Sequence, residues 1–144
     1  QRAFGRFLDT CACCTGGDDL IRGGLGRDVM TGGLGDDTFD FDSAADSNGA
    51  AIDFITGFDF GTLGNPGDMI DLRDIDARAS TAANDAFTLG TGIGQLSFVN
   101  LANNNTLIRG NTAAGGGFEV QIEVADAGVT AANWTTNAAL YVLF

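Results

Sequence analysis

The sequence predicts an all-β protein: a short parallel β-roll of nonapeptide repeats followed by a strand-rich, β-sandwich-like C-terminal cap. Three observations carry that expectation. The phrase Gly-Gly-Leu-Gly-x-Asp-x-apolar-x occurs at residues 23–31 and again at 32–40. One period earlier the glycines fade, yet three columns stay in phase: glycine at Gly17, Gly26 and Gly35, acid at Asp19, Asp28 and Asp37, and apolar at Ile21, Met30 and Phe39. Towards the other end Phe118, Val120, Ile122 and Val124 alternate with Glu119, Gln121 and Glu123, the period of a half-buried strand.

The elements follow in chain order. Residues 1–13 are expected to be degenerate or poorly ordered, because the phrase stepped back once more puts Thr10 in the acid column and Ala12 in the apolar one. Cys11, Cys13 and Cys14 lie too close together to pair without strain. With no histidine and no second cysteine cluster they do not make a zinc site. They read as incidental thiols, or as partners for an intermolecular disulfide. Residues 14–50 are expected to form the roll. Each Asp is followed by three residues, enough for one short strand whose middle side chain faces inward, and such a unit must stack on its neighbours to bury it. "FDSAADSNG" then loses the glycines but places Asp46 in the acid column.

Residues 51–144 are expected to form the cap. "AIDFITGFDF" and "DMIDLRDIDA" read as two strands around the loop "GTLGNPGD", which holds the single proline, Pro66. "AFTL", "QLSFVN", "NTLIRGN" and "FEVQIEVA" read as further strands. "VTAANW" has room for one helical turn, and "ALYVLF" closes the chain as an apolar strand or tail. Of the aromatics, most phenylalanines fall at strand spacing and are expected in the core; Phe4, Phe7, Trp134, Tyr141 and Phe144 look more exposed.

Composition narrows the function. At 144 residues and 44% hydrophobic content the chain supports one domain with its own core. The net charge of −12 repels nucleic acid and anionic membranes, and it opposes compaction unless a cation is bound. There are 17 Asp against 2 Glu, and 15 of the Asp precede residue 77. Asp beside glycine brings short carboxylates close to backbone carbonyls, the all-oxygen setting that calcium prefers and that suits magnesium less well. No apolar run reaches the roughly 18 residues of a spanning helix, and no signal-peptide core opens the chain, so membrane insertion is not expected. The chain begins at Gln1 without an initiator Met and is expected to be a processed product or a piece of a longer chain.

Catalytic constellations fail on inspection. Without histidine there is neither a zinc-protease helix nor a Ser-His-Asp triad. Gly24-Leu25-Gly26 and Gly33-Leu34-Gly35 begin a dinucleotide fingerprint, but Val29 and Thr38 replace its third glycine. Asp36 and Asp37 are adjacent acids, read as a solvated neighbour and a ligand rather than an acid–base pair. No catalytic residue is expected. If each nonapeptide is half a coil, turns on the same side are 18 residues apart, so Asp19 faces Asp37 and Asp28 faces Asp46.

The nonapeptide resembles the repeat of the repeats-in-toxin (RTX) proteins, a calcium-binding parallel β-helix repeat. Beyond it, "DTFDFDSAADS", "IDFITGFD", "GDMIDLRDID", "QLSFVN" and "FEVQIEV" resemble, in order, the C-terminal domain of serralysin-type proteases and other type I-secreted proteins. The resemblance covers about residues 14–144. It implies calcium held by Asp19, Asp28, Asp37 and Asp46, with backbone groups at Gly23, Leu25, Gly26, Gly32, Leu34 and Gly35, and with Asp53 closing the last site. Gly57 stands where the family often has Asp, so that ligand is missing or replaced by Asp59; with the weakened first repeat, two sites are expected rather than four. The implied role is a non-catalytic module of an extracellular or cell-surface protein that folds on meeting calcium outside the cell. Its implied partners are calcium, the type I secretion machinery, and an upstream catalytic domain or identical subunits. "ALYVLF" resembles the apolar end of a type I export signal. The alternative is a structural or adhesive module of a surface layer or filament, assembled through calcium and strand edges.

Overall fold

The structure is a computed structural model that describes residues 10–11, 16–62, 65–113, 117–126 and 129–144. Short strands come first: β1 (Thr10–Cys11), β2 (Leu20–Ile21), β3 (Val29–Thr31), β4 (Thr38–Asp40) and β5 (Asp53–Thr56). A small hairpin of β6 (Phe60–Thr62) and β7 (Asn65–Gly67) leads to β8 (Met69–Asp71). Then come β9 (Thr88–Leu89), β10 (Gln95–Asn100), β11 (Thr106–Asn111) and β12 (Val120–Val124). Two short helices, α1 (Ala131–Thr136) and α2 (Ala138–Tyr141), precede β13 (Val142–Leu143).

Successive strands of the repeat region alternate between two sheets. A seven-stranded sheet runs β1-β3-β5-β12-β11-β10-β9, and a four-stranded sheet runs β13-β8-β4-β2. Pairing is parallel wherever repeat strands meet: Leu20 opposite Thr38, Thr38 opposite Met69, and Val29 opposite Phe54. This is the expected roll, and the described residues are all-β apart from two short helices. The Asp-x-apolar pattern explains the alternation. Each three-residue strand places one apolar side chain inward, and Ile21, Phe39 and Ile70 from one sheet join Met30, Ile55 and Ile122 from the other in one core. At roughly 25 cal/mol per Å² of apolar surface, no single such strand stabilises itself; the stack does.

The roll crosses the boundary expected at residues 50 and 51. β5 and β8 continue its two parallel ladders, and β12 and β13 add to them in parallel. The N-terminal boundary also shifts, since the β1 backbone pairs Thr10 with Val29 and Cys11 with Met30 inside the segment expected to be degenerate. Cys13, Cys14, Phe4 and Phe7 lie outside the described residues. "GTLGNPGD" contains a hairpin rather than a plain loop: Gly67 has φ +66°, and a Cβ there would fall 2.6 Å from the Asp59 carbonyl oxygen, so a bare backbone lets the strands close.

In the rest of the seven-stranded sheet β11 pairs antiparallel with β10 and β12, β9 adds to β10 in parallel at the edge, and inward Ile108, Val120, Ile122 and Val124 are buried. "VTAANW" gives α1, capped by a reciprocal Thr130–Asn133 pair that satisfies two otherwise orphaned groups. "ALYVLF" divides into a helical turn and an edge strand. Trp134 and Tyr141, expected to look exposed, are buried, and Phe144 packs partly against the core.

Candidate metal sites in the repeat turns

Turns joining the seven-stranded to the four-stranded sheet gather on one side of the roll, and those running back gather on the other. Glycine makes both kinds of turn. Gly26 and Gly35 hold φ of +117° and +125°, a region an L side chain rarely enters. Gly32 is needed for space instead: a Cβ there would lie 2.9 Å from both Cβ and Cγ of Asp37. Gly23 meets Asp28 Oδ2 in the same way, at 2.9 Å. Asp28 and Asp37 therefore fold back into the hollows of their own turns.

Backbone-to-carboxylate hydrogen bonds tie each turn to the next on its side. In the four-stranded sheet the Asp19 N–H donates to Asp37 Oδ1 at 2.9 Å, and the Asp37 N–H donates to Asp68 Oδ1 at 2.9 Å. The Asp59 N–H donates to the other oxygen of Asp68, also at 2.9 Å. In the seven-stranded sheet the Asp28 N–H donates to Asp53 Oδ1 at 2.8 Å, and the Asp53 N–H donates to Ser47 Oγ at 2.8 Å. Asp37 is 1% exposed and Asp53 0%. Their second oxygens, Asp37 Oδ2 and Asp53 Oδ2, are buried with no hydrogen-bond partner among the described residues.

Burying a carboxylate oxygen without a partner is costly, several times the net worth of an ordinary hydrogen bond. The electrostatics show the strain. Burial pushes Asp53 up to about 7; the Asp28 N–H bond lowers it, and the charges of Asp28 and Asp46 raise it further. Asp68 is also raised, first by burial, against the N–H bonds of Asp59 and Asp37 and with the charges of Asp37 and Asp59. Buried, oxygen-only donors with unspent lone pairs in glycine hollows suit a hard divalent cation of calcium's size.

The expected residues distribute as follows. Asp19 lies opposite Asp37, with Gly32, Leu34 and Gly35 in the turn between them; the Leu34 carbonyl accepts from the Gly17 N–H at 2.7 Å. Gly23, Leu25 and Gly26 form the turn that carries Asp28. The pairing of Asp28 with Asp46 is corrected: Asp28 faces Asp53, 25 residues on. "FDSAADSNG" has only Gly49 to bend with, and it coils into a turn in which Asp46 Oδ2 accepts from the backbone N–H groups of Asp42 and Ser43 at 3.0 Å each. Asp46 still raises Asp53 through its charge.

Asp68 was not anticipated. Its signal is present, since Asp68-Met69-Ile70 repeats the Asp-x-apolar pattern of Asp37-Thr38-Phe39, but 31 residues from Asp37 instead of 18. Asp59, foreseen as a substitute at the Gly57 position, sits against Asp68. A further acidic group, Asp40, Asp42 and Asp74, gathers within 4.8 Å, but Arg22 already bonds Asp40 and reaches Asp42 at 3.4 Å.

Fold and turns together define a parallel β-roll module with carboxylate-lined hollows between its coils. Residues 8–133 match the family described as Peptidase M10 serralysin C terminal, and the chain belongs to that family. The family's domain is a non-catalytic, calcium-binding module of secreted proteins. Among solved structures, the AlgE6R3 subunit of the Azotobacter vinelandii mannuronan C5-epimerase is similar at 20% identity and TM-score 0.48, over 99% of this chain and 86% of that one. No curated protein matches the chain. Among the described residues, no helix is long and apolar enough to cross a membrane.

Proposed function

We propose that the chain is the calcium-dependent folding and export module of a secreted protein, with calcium held on both sides of the roll between β1 and β8. On one side the turns carrying Asp19, Asp37 and Asp68 supply carboxylates, with backbone groups of Gly32, Leu34 and Gly35. On the other side Asp28 and Asp53 do so, with Gly23, Leu25 and Gly26. The observation that carries this reading is the pair of buried oxygens without a hydrogen-bond partner among the described residues, Asp37 Oδ2 and Asp53 Oδ2. Bound calcium supplies the positive charge that these oxygens lack.

Without the ion, a net charge of −12 and the entropy of 22 glycines favour an extended chain, which suits passage through a type I secretion channel. With calcium at 100 times its dissociation constant, each site stabilises the folded form by about 2.7 kcal/mol, enough to decide the state of a marginal domain. An upstream catalytic domain is the partner this reading implies. Far-UV circular dichroism and sizing test it: strand signal and compaction should appear with calcium and much less with magnesium. A spectrum indifferent to chelator would overturn the reading.

A further inference from the structure

We infer that the C-terminal segment Ala138–Leu143 is a positioning element for one side of the roll only, so that its docking and calcium binding at the Asp37–Asp68 side are linked. The inference rests on the calcium reading and adds to it a side-selective coupling. Two physical connections carry it.

The first runs through β8. Val142 pairs with Ile70 and Leu143 with Asp71, and the Leu72 N–H donates to the Leu143 carbonyl at 2.9 Å. On its other edge the same strand pairs with β4, and the Met69 N–H donates to the Asp37 carbonyl at 2.8 Å. β8 is thus held between β4 and β13, and it begins at the residue after Asp68.

The second connection runs through rings. Tyr141 meets Phe60 edge-on at 5.2 Å and Phe58 at 6.4 Å between centroids. Those two phenylalanines flank Asp59, whose N–H holds Asp68 Oδ2. Removing the tail frees one edge of the strand that follows Asp68 and one side of the segment that orients its carboxylate. The Asp28–Asp53 pair lies in the other sheet, where β5 is flanked by β3 and β12, and β13 is no part of that sheet. Linkage is reciprocal: whatever the tail adds to calcium affinity, calcium adds to tail docking.

Hydrogen exchange and calorimetric calcium titration on the full chain test this. In the wild type, amides of residues 138–144 should be protected in calcium and exposed in chelator. At saturating calcium, Asp68→Asn should lose that protection while Asp53→Asn keeps it. Deleting residues 142–144 should weaken one class of site by about tenfold or more and leave the other unchanged. Tyr141→Leu, which keeps apolar bulk and removes the ring, guards against simple unfolding and should weaken the same class. Equal loss of tail protection in the two Asp variants, or equal weakening of all sites by the deletion, overturns the inference. A wild type that binds calcium but protects its tail equally in chelator overturns this inference alone; a wild type that binds no calcium removes the calcium reading with it.

Discussion

At the repeat turns Asp37 and Asp53 are buried while Leu25 and Leu34 are 79% and 76% exposed; in the cap, Trp134 is buried among Phe58, Phe60, Phe98 and Tyr141. The first arrangement inverts ordinary hydrophobic burial, and the second obeys it. In the cap the Trp134 Nε1–H donates to Asp126 Oδ2 at 2.6 Å. The antiparallel cap is held by packing, whereas the turns are held by whatever neutralises their acids. Under the proposed function, one chain combines a part that folds for itself with a part that folds for an ion.

Chelation should divide the molecule along that line with the largest effect. Amides of β2 to β4 should exchange freely in chelator while those of β10 to β12 stay protected, as read by hydrogen exchange. Simultaneous loss in both regions would erase the contrast. Next in size, Asp37→Ala removes a carboxylate bonded to one coil from a turn that donates to another, and calcium binding should fall at least about tenfold. Asp36→Ala should act mainly through net charge that salt screens, because among the described residues only the Asp36 backbone N–H is engaged, with Asp18 Oδ1 at 3.0 Å. Titration calorimetry of both variants at two salt concentrations checks the difference, and equal losses would show that the column register is wrong.

Acid should sharpen the comparison further. Asp53 is raised from 3.8 to about 7 by burial, so the ion-free fold binds a proton that the unfolded chain releases. The stability from this group is complete below 3.8 and disappears as pH rises through about 7. In chelator, lowering the pH from 8 to 5 should partly restore strand signal; in calcium, the same change should weaken affinity by up to about tenfold per pH unit. A pH-independent affinity would place Asp53 outside the site. The smallest effect belongs to the cap: Trp134→Phe should cost about 1–3 kcal/mol in calcium by leaving Asp126 Oδ2 without its donor, read in the melting of β10 to β12.

How much of this was legible follows from where the period holds. Between Gly17 and Phe39 nothing interrupts the nonapeptide, and the sequence places Asp19 opposite Asp37 correctly. After Phe41 the chain inserts a turn at residues 43–46 and later a hairpin, so period counting selects Asp46 where the fold uses Asp53, and it overlooks Asp68. Local pattern survives these insertions but register does not, because register is set by which strand finds a parallel neighbour. The adjacency of β12 to β5 and of β13 to β8 is likewise a long-range choice with no local signature. The burial of Trp134 and Tyr141 comes from the same choice: the phenylalanine rings that cover them, Phe58, Phe60 and Phe98, are distant in sequence.

The alternation of strands between two sheets sets a parity rule for how such a chain can change length. Nine residues carry the backbone from one sheet to the other, and 18 bring it back beneath its own column. Duplicating one nonapeptide within residues 23–40 would send every strand upstream of it to the opposite sheet and exchange its acids between the two sides. Duplicating two would lengthen the roll and leave both columns intact. Growth of the repeat region is therefore quantised in pairs, while irregular insertions such as residues 42–52 are tolerated only because they loop out and return the chain to the sheet it was due to enter.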